Sequence, residues 1–170
     1  QPAEGGAFQV VMLPAGGDDL RMLAPSMLFA DIDPLLVKFV GTGLWRNPDS
    51  AREPALANGW FAGPDAAMRA RFEASYQSAF GEQPSRLAGL GYDAASLAAL
   101  MAANTGAIDR TVLEDPNGFL GVDGLFRLRG DGTVERGLAL YTIRNGQFEV
   151  LDPAPERFGP AGADIEPGES

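Results

Sequence analysis

The sequence predicts an α/β chain that ends in antiparallel hairpins, and three observations carry that expectation. Runs rich in β-branched and aromatic residues at 8–13, 36–41 and 59–62 read as buried strands, with a helical pattern at 18–29 between the first two. Two further helical patterns fill 64–104. After Pro116 the grammar changes to strands joined by tight turns. The resulting order is β-α-β, then β-α-α-α, then a β meander.

Each element has a local reason. "FQVVML" (8–13) is a strand by composition, and "PAGGDD" turns it. Asp18 or Asp19 is expected to cap a helix with Leu20, Leu23 and Met27 on one face, bent or shortened by Pro25. "DIDP" (31–34) breaks the chain before the next strand. In "VKFVGTGLWRNP" (37–48) that strand ends in a glycine-bracketed turn followed by Leu44-Trp45. Residues 44–58 read as a loop with one helical turn, and "GWFAG" (59–63) as a third strand. Pro64-Asp65 opens a helix in which Met68, Phe72, Tyr76 and Phe80 stack at i+4, and Gly81 ends it. The longest helix is expected within 84–104, with Leu87, Leu90, Ala94, Leu97 and Met101 as its buried face. Ala88, Gly89, Gly91 and Ala95 beside that face leave room for another element to approach closely. "IDRTVLED" (108–115) is a short helix. Strands are then expected at 124–129, 133–143 and 147–151, turned at Asp131-Gly132 and Asn145-Gly146, the favoured pairs for two-residue hairpins. The Pro/Gly-rich, acidic stretch 153–170 reads as a mobile tail.

Composition narrows the chemistry. The chain has 170 residues, 45% of them hydrophobic, and a net charge of −10 from 13 Lys+Arg and 23 Asp+Glu. So acidic a protein gains nothing from counterion release on nucleic acid or an anionic membrane. Absence of Cys removes disulfides and thiolate metal sites, and absence of His removes the commonest general base and metal ligand. No metal and no cofactor is expected. No apolar run of about 18 residues offers a membrane span. Gln1 is not a natural start, so the chain reads as a mature or trimmed piece of something longer.

No catalytic constellation emerges. Ser26, Ser75 and Ser96 lack a histidine or Ser-x-x-Lys context. Asp18/Asp19 and Asp31/Asp33 sit where caps and turns want Asp, without calcium-loop spacing. Arg129-Gly130-Asp131 is ordinary hairpin chemistry. Gly41-Thr42-Gly43 begins like a dinucleotide fingerprint, but Arg46 stands at the third glycine position and no helix opens directly after Gly43. The candidate ligand-cleft residues are Gly16, Gly17, Thr42, Gly43, Leu44 and Trp45. They fall at the C-terminal ends of two strands expected to be parallel neighbours, where open α/β sheets hold ligands. A Trp at a strand end is either packing or a ligand platform. In the second role Trp45 would supply apolar area and the turn amides hydrogen bonds.

Four stretches carry a family resemblance: "LAPSMLFADIDPLLVKFVGTGLW", "EPALANGWFAGPD", "RFEASYQSAFGEQPSRLAGLGYDAASLAAL" and "PNGFLGVDGLFRLRGDGTVERGLALY". Together, from about Phe8 to Pro153, they resemble the type I periplasmic-binding-protein superfamily. More closely they look like its penicillin-binding-protein activator branch, lipoprotein regulators of peptidoglycan synthesis. The resemblance implies the C-terminal half of a two-lobed fold. Residues 1–63 would be a second-lobe segment, 64–136 a return to the first lobe, 137–152 a crossover back, and 153–170 the tail. A missing N-terminal half or a swapped partner chain is then expected to cover exposed sheet edges and core faces. In amino-acid-binding relatives an acidic residue in the turn after the strand matching 37–41 helps hold the ligand ammonium. The matching position here is Gly43.

The first functional reading is a non-enzymatic periplasmic regulator, lipid-anchored in the full-length protein, that binds a peptidoglycan synthase (a penicillin-binding protein) in the cell envelope. The alternative is a solute-binding protein of an ABC importer for branched-chain amino acids or similar small molecules. A nucleotide-dependent enzyme is the third reading, and the broken glycine pattern argues against it.

Overall fold

The computed structural model describes residues 8–85, 87–104 and 109–158. The chain divides into two compact units, one of residues 1–63 with 139–153 and one of 64–138 with 154–170.

The first unit is a five-stranded sheet in the order β1-β2-β3-β7-β8. Strands β1 (Val10–Leu13), β2 (Lys38–Gly41) and β3 (Trp60–Gly63) are parallel. Strands β7 (Ala139–Arg144) and β8 (Gln147–Asp152) complete the sheet antiparallel. Helix α1 (Gly17–Phe29) is the crossover between the parallel neighbours β1 and β2, as the sequence leads one to expect. It packs against β1, the short helix α2 (Pro48–Ala51) and two 3-10 turns at Gly43–Trp45 and Pro54–Leu56.

One sheet face carries the core. Leu13, Phe39, Phe61 and Tyr141 are buried on it, with Leu20 and Ala24 of α1 and with Trp45 and Leu56 from the connecting turns. Phe61 organises this layer. It stacks on Tyr141 at 5.1 Å, meets Phe148 edge-on at 5.4 Å and Trp45 at 6.0 Å. The opposite face leaves Val10, Met12 and Trp60 exposed.

The second unit holds α3 (Ala66–Phe80), α4 (Ala88–Asn104), α5 (Arg110–Leu113) and an antiparallel sheet in the order β4-β5-β6, formed by Phe119–Gly121, Gly124–Leu128 and Val134–Arg136. Asp65 caps α3 by accepting from the backbone N–H groups of Ala67 and Met68 at 2.8 and 2.9 Å, and Gly81 ends the helix in the left-handed conformation at φ 76°. Ion pairs tie the elements. Arg69 holds Glu73 and Asp123 at 2.8 and 3.1 Å, and Arg127 holds Glu135 at 2.8 Å.

The structure corrects several expectations. The cap of α1 is the extended backbone of Gly16, with no side-chain hydrogen bond. Asp18 and Asp19 stand in the first turn instead, where the helix dipole favours them. The helix runs on through Pro25. The 44–58 loop contains α2 and two 3-10 turns.

The expected strand 133–143 is two strands in different sheets. Gly137 closes the β5–β6 pairing by donating to the Leu125 carbonyl at 2.8 Å, and a Cβ at Gly137 would lie 2.8 Å from the Pro155 ring. Strand β4 is an addition, and Asp93 of α4 fixes the turn after it by accepting from the Val122 N–H at 2.9 Å.

Residues 154–158 of the expected mobile tail are placed, half-buried only at Ala154 and Phe158. The Phe158 ring lies 4.5 Å from the Arg127 guanidinium, while 159–170 lie outside the described residues, as does 108 of the expected 108–115 helix.

The α4 face also differs. Leu87 and Leu90 are 73% and 45% exposed, Leu97 is half-buried, and the enclosed positions are Gly89, Asp93 and Met101. Close approach explains the rotation. A Cβ at Gly89 would lie 2.9 Å from Val122 Cγ2, so the β4–β5 hairpin seats on the smallest residue of the helix and leaves the leucines beside it outside.

Candidate functional site

The six expected cleft residues all fall in the first unit, in the turns after β1 and β2. Because the strands are parallel and Leu13 is in register with Gly41, both turns leave the sheet at the same end. Gly16 brings them into contact. A Cβ there would lie 2.7 Å from the Leu44 Cβ and 2.9 Å from its carbonyl oxygen. Only a residue without a side chain allows that approach.

Gly17 has open space around the position of a Cβ, and its φ of 58° is the left-handed conformation that glycine adopts freely. Thr42 starts the 3-10 turn. Its hydroxyl accepts from the Leu44 N–H at 3.3 Å, and its carbonyl accepts from the Trp45 N–H at 2.9 Å.

Trp45 takes the packing role. It is fully enclosed, and its Nε1 donates to the Leu13 carbonyl at 2.9 Å. The indole lies over glycine on two sides. A Cβ at Gly41 would come within 2.1 Å of its Cε2, and one at Gly59 within 2.7 Å of its Cζ3. Trp45 therefore locks the β2 turn onto the end of β1 and presents no face to a ligand. Leu44, 39% exposed, is the apolar side chain of this turn that reaches solvent.

Sequence reasoning missed Arg46. It treated that residue only as the break in a glycine pattern. The exposed side chain is held beside the turn by Tyr141 of β7. Nη1 donates to the phenol oxygen at 3.3 Å, and the guanidinium carbon lies 5.1 Å from the ring centre. A cation placed next to half-buried turn backbone is a complement for a carboxylate or other small anion. Nothing local in the sequence signals this, because Arg46 and Tyr141 meet only through the pairing of β3 with β7.

The second unit contains a separate apolar cavity of about 710 Å³ between α3, α4 and the β4–β5 hairpin. Phe72, Tyr76, Phe80, Tyr92, Leu100 and Leu120 contribute to its walls, and none of the six expected residues does. Asp93 stands in the same wall, buried. Burial pushes its carboxyl above the ordinary aspartate range against the opposing Val122 N–H, and its Oδ2 has no hydrogen-bond partner.

Among the described residues no group of three or more His, Cys, Asp or Glu side chains is placed to hold a metal ion. No described helix is long and apolar enough to cross a membrane.

No protein-family model and no curated protein sequence matches the chain. Solved structures do. A protein of Rhodospirillum rubrum assigned to a branched-chain amino acid ABC transporter superposes with a TM-score of 0.63 at 19% identity, over 84% of this chain and 44% of that one. A leucine-binding protein of Thermotoga maritima gives 0.55 at 14%, over 86% and 44%. A solute-binding protein of an ABC transporter from R. palustris, solved with benzoate, gives 0.56 at 17%, over 90% and 45%. These structural neighbours are type I periplasmic-binding-protein-like and are binding proteins rather than enzymes. The chain has their mixed α/β fold, fits a half domain of it, and spans less than half the length of those proteins.

Proposed function

We propose that this chain is the C-terminal half of an extracytoplasmic solute-binding protein. Its first unit would belong to one lobe and its second to the other, and the turns after β1 and β2 would contribute to the ligand site. The ligand class we favour is a small organic carboxylate without an ammonium group.

One observation carries this choice. The two joined turns, 14–17 and 42–45, contain no carboxylate, while Arg46 is held beside them by Tyr141. An ammonium needs acceptors with negative charge, and a carboxylate needs donors and a cation. Thr42, Gly43 and the Gly16-Gly17 backbone, with Leu44 for apolar contact, suit the second. The benzoate in one neighbouring structure is a ligand of that class.

The solved-structure comparisons favour solute binding over the peptidoglycan-synthase regulator, which rests on sequence resemblance alone. Lipid anchoring likewise rests only on that resemblance.

Titration calorimetry on the natural gene product tests the reading, with benzoate, leucine, isoleucine and valine as ligands. Saturable heat is expected with benzoate and not with the three amino acids. Binding of leucine at about 1 μM, worth about −8 kcal/mol, would overturn the ligand class. Absence of heat with all four would overturn the solute-binding reading for these turns.

A further inference from the structure

Helix α1 carries large apolar side chains on both of its sides. Leu20 and Ala24 face the sheet and are fully enclosed. Met22 and Phe29 stand roughly half a turn round the helix from Leu20, on the outward side, and are 68% and 90% exposed. The loop from α1 into β2 adds Leu35 and Leu36 at 83% and 79%. Hydrogen bonds hold that loop in one shape. The Asp33 carboxylate accepts from the Leu35 N–H at 2.8 Å, and its carbonyl accepts from the Leu36 and Val37 N–H groups at 3.0 and 2.8 Å. The Ile32 N–H donates to the Met27 carbonyl at 3.0 Å, which ties the loop to the last turn of the helix. Single exposed apolar side chains are ordinary, but a group of them held in a fixed frame marks an interaction site.

The charges around this group have one sign. The charged side chains of residues 22–37 are Asp31 and Asp33, both exposed. The last turn of α1 has no basic residue, so the negative end of the helix dipole adds to them. The next cation along the chain, Lys38, is engaged elsewhere. Its ammonium donates to the Asn58 carbonyl at 2.9 Å and lies 4.9 Å from the Trp60 ring centre. We infer that Met22, Phe29, Leu35 and Leu36, with Asp31 and Asp33, dock a basic protein partner, one that offers an apolar pocket rimmed by lysine or arginine. Charge selects this occupant. A second copy of the chain would set the carboxylates against their own kind, and a bilayer containing anionic lipid would repel them. The fixed loop lowers the ordering cost of docking. The surface is separate from the proposed ligand site. Helix α1 runs from the turn after β1 back to the start of β2, so its C-terminal end and the 30–37 loop lie at the opposite end of the parallel strands.

The test places the photoreactive residue p-benzoylphenylalanine at position 36 of the natural gene product, in its own cells. Position 52, exposed at the end of α2, is the control. Cross-linking by ultraviolet light is followed by mass spectrometry of the joined peptides. The protein joined at position 36 is then purified, and its affinity for the gene product is measured by titration calorimetry. The same titration is made with the Leu35→Ser, Leu36→Ser double variant and with Asp31→Asn. Met22→Ser replaces the double variant where circular dichroism shows that it is misfolded.

The expected result is a cross-link to one other protein at position 36 and not at 52, through a peptide that bears lysine or arginine. Affinity should fall at least about tenfold in the leucine double variant. It should fall by a smaller factor in Asp31→Asn, and on raising salt from about 50 to about 300 mM. Joined peptides that both come from the gene product overturn the inference. They assign the surface to a second copy at twice the monomer mass, and to the protein's own chain at the monomer mass. A cross-link to lipid overturns it in favour of a bilayer. No product at position 36, or the same product at 52, overturns it as well. So does an affinity that is unchanged in the leucine variant, or unchanged in both Asp31→Asn and raised salt. Titration with benzoate and the amino acids reads the other end of the strands, so the two readings fail separately.

Discussion

Gly41→Ala is a severe substitution at a position that looks permissive in the sequence. The added methyl carbon would stand 2.1 Å from Trp45 Cε2 and 2.2 Å from Nε1, more than an ångström short of ordinary contact. The indole cannot yield into solvent, because it is fully enclosed, and Gly59 also packs tightly on its other side. Overpacking of this kind costs about 1–3 kcal/mol. Displacing the ring also stretches the buried hydrogen bond from Trp45 Nε1 to the Leu13 carbonyl, a further loss of about 0.5–1.5 kcal/mol. The expected destabilisation is therefore about 1.5–4.5 kcal/mol. Urea unfolding followed by tryptophan fluorescence reads the first unit selectively, because Trp45 and Trp60 are the only tryptophans and both lie in it. Gly63→Ala is the internal control. A Cβ there meets Tyr141 at 3.5 Å, an ordinary contact, so that variant should be neutral or slightly stabilised. A Gly41→Ala midpoint indistinguishable from that of Gly63→Ala would refute the packing account of this turn.

Two further outcomes concern the second unit. Asp65→Ala removes the acceptor of two backbone N–H groups at the start of α3 and should cost about 0.5–2 kcal/mol in denaturation followed by circular dichroism, with Asp65→Asn near wild type. Equal loss in both variants would show that the carboxylate acts otherwise than as a cap. The raised pKa of Asp93 makes its stabilising contribution complete below the unfolded aspartate range, and it declines as pH rises through the folded value. Asp93→Asn should therefore gain stability relative to wild type between acid and neutral pH, and a pH-independent difference between the two would contradict the assignment.

The β1-α1-β2 unit was readable because its signals are local: apolar strand runs, a helix stripe, and glycines where parallel strands end. The Asn145-Gly146 and Asp131-Gly132 turns were readable for the same reason, and in the structure Asn145, Gly146 and Gly132 adopt positive φ. What escaped was set by approach between distant segments. On α4 the leucines at 87 and 90 outvoted Gly89 and Asp93, yet those two, four residues apart, mark the side on which the β4–β5 hairpin sits. The cue was present as a run of small residues, but its partner, the Val122 turn, follows far along the chain. The break at Gly137 was hidden in the same way, because β-propensity on both sides reads as one strand until two different sheets claim the halves. Arg46 gained its place beside the turn from Tyr141, nearly a hundred residues on.

The glycine-bracketed turn after β2 is thus built by packing first. Gly41 makes room for the Trp45 indole, and Gly16 of the neighbouring turn makes room for Leu44. Neither glycine is free to be explained a second time as a phosphate cradle, and the fully enclosed Trp45 cannot serve as a stacking platform. What the packing leaves at the surface is different in kind: backbone, one half-exposed leucine, and one arginine fixed by a phenol. Under the proposed function, those parts would offer a ligand hydrogen-bond donors and positive charge rather than a carboxylate. For that reason the ligand class, rather than the existence of a turn at this place, is the more exposed half of the functional proposal. Leucine and benzoate, one with an ammonium and one without, are the pair that separates it from its alternative.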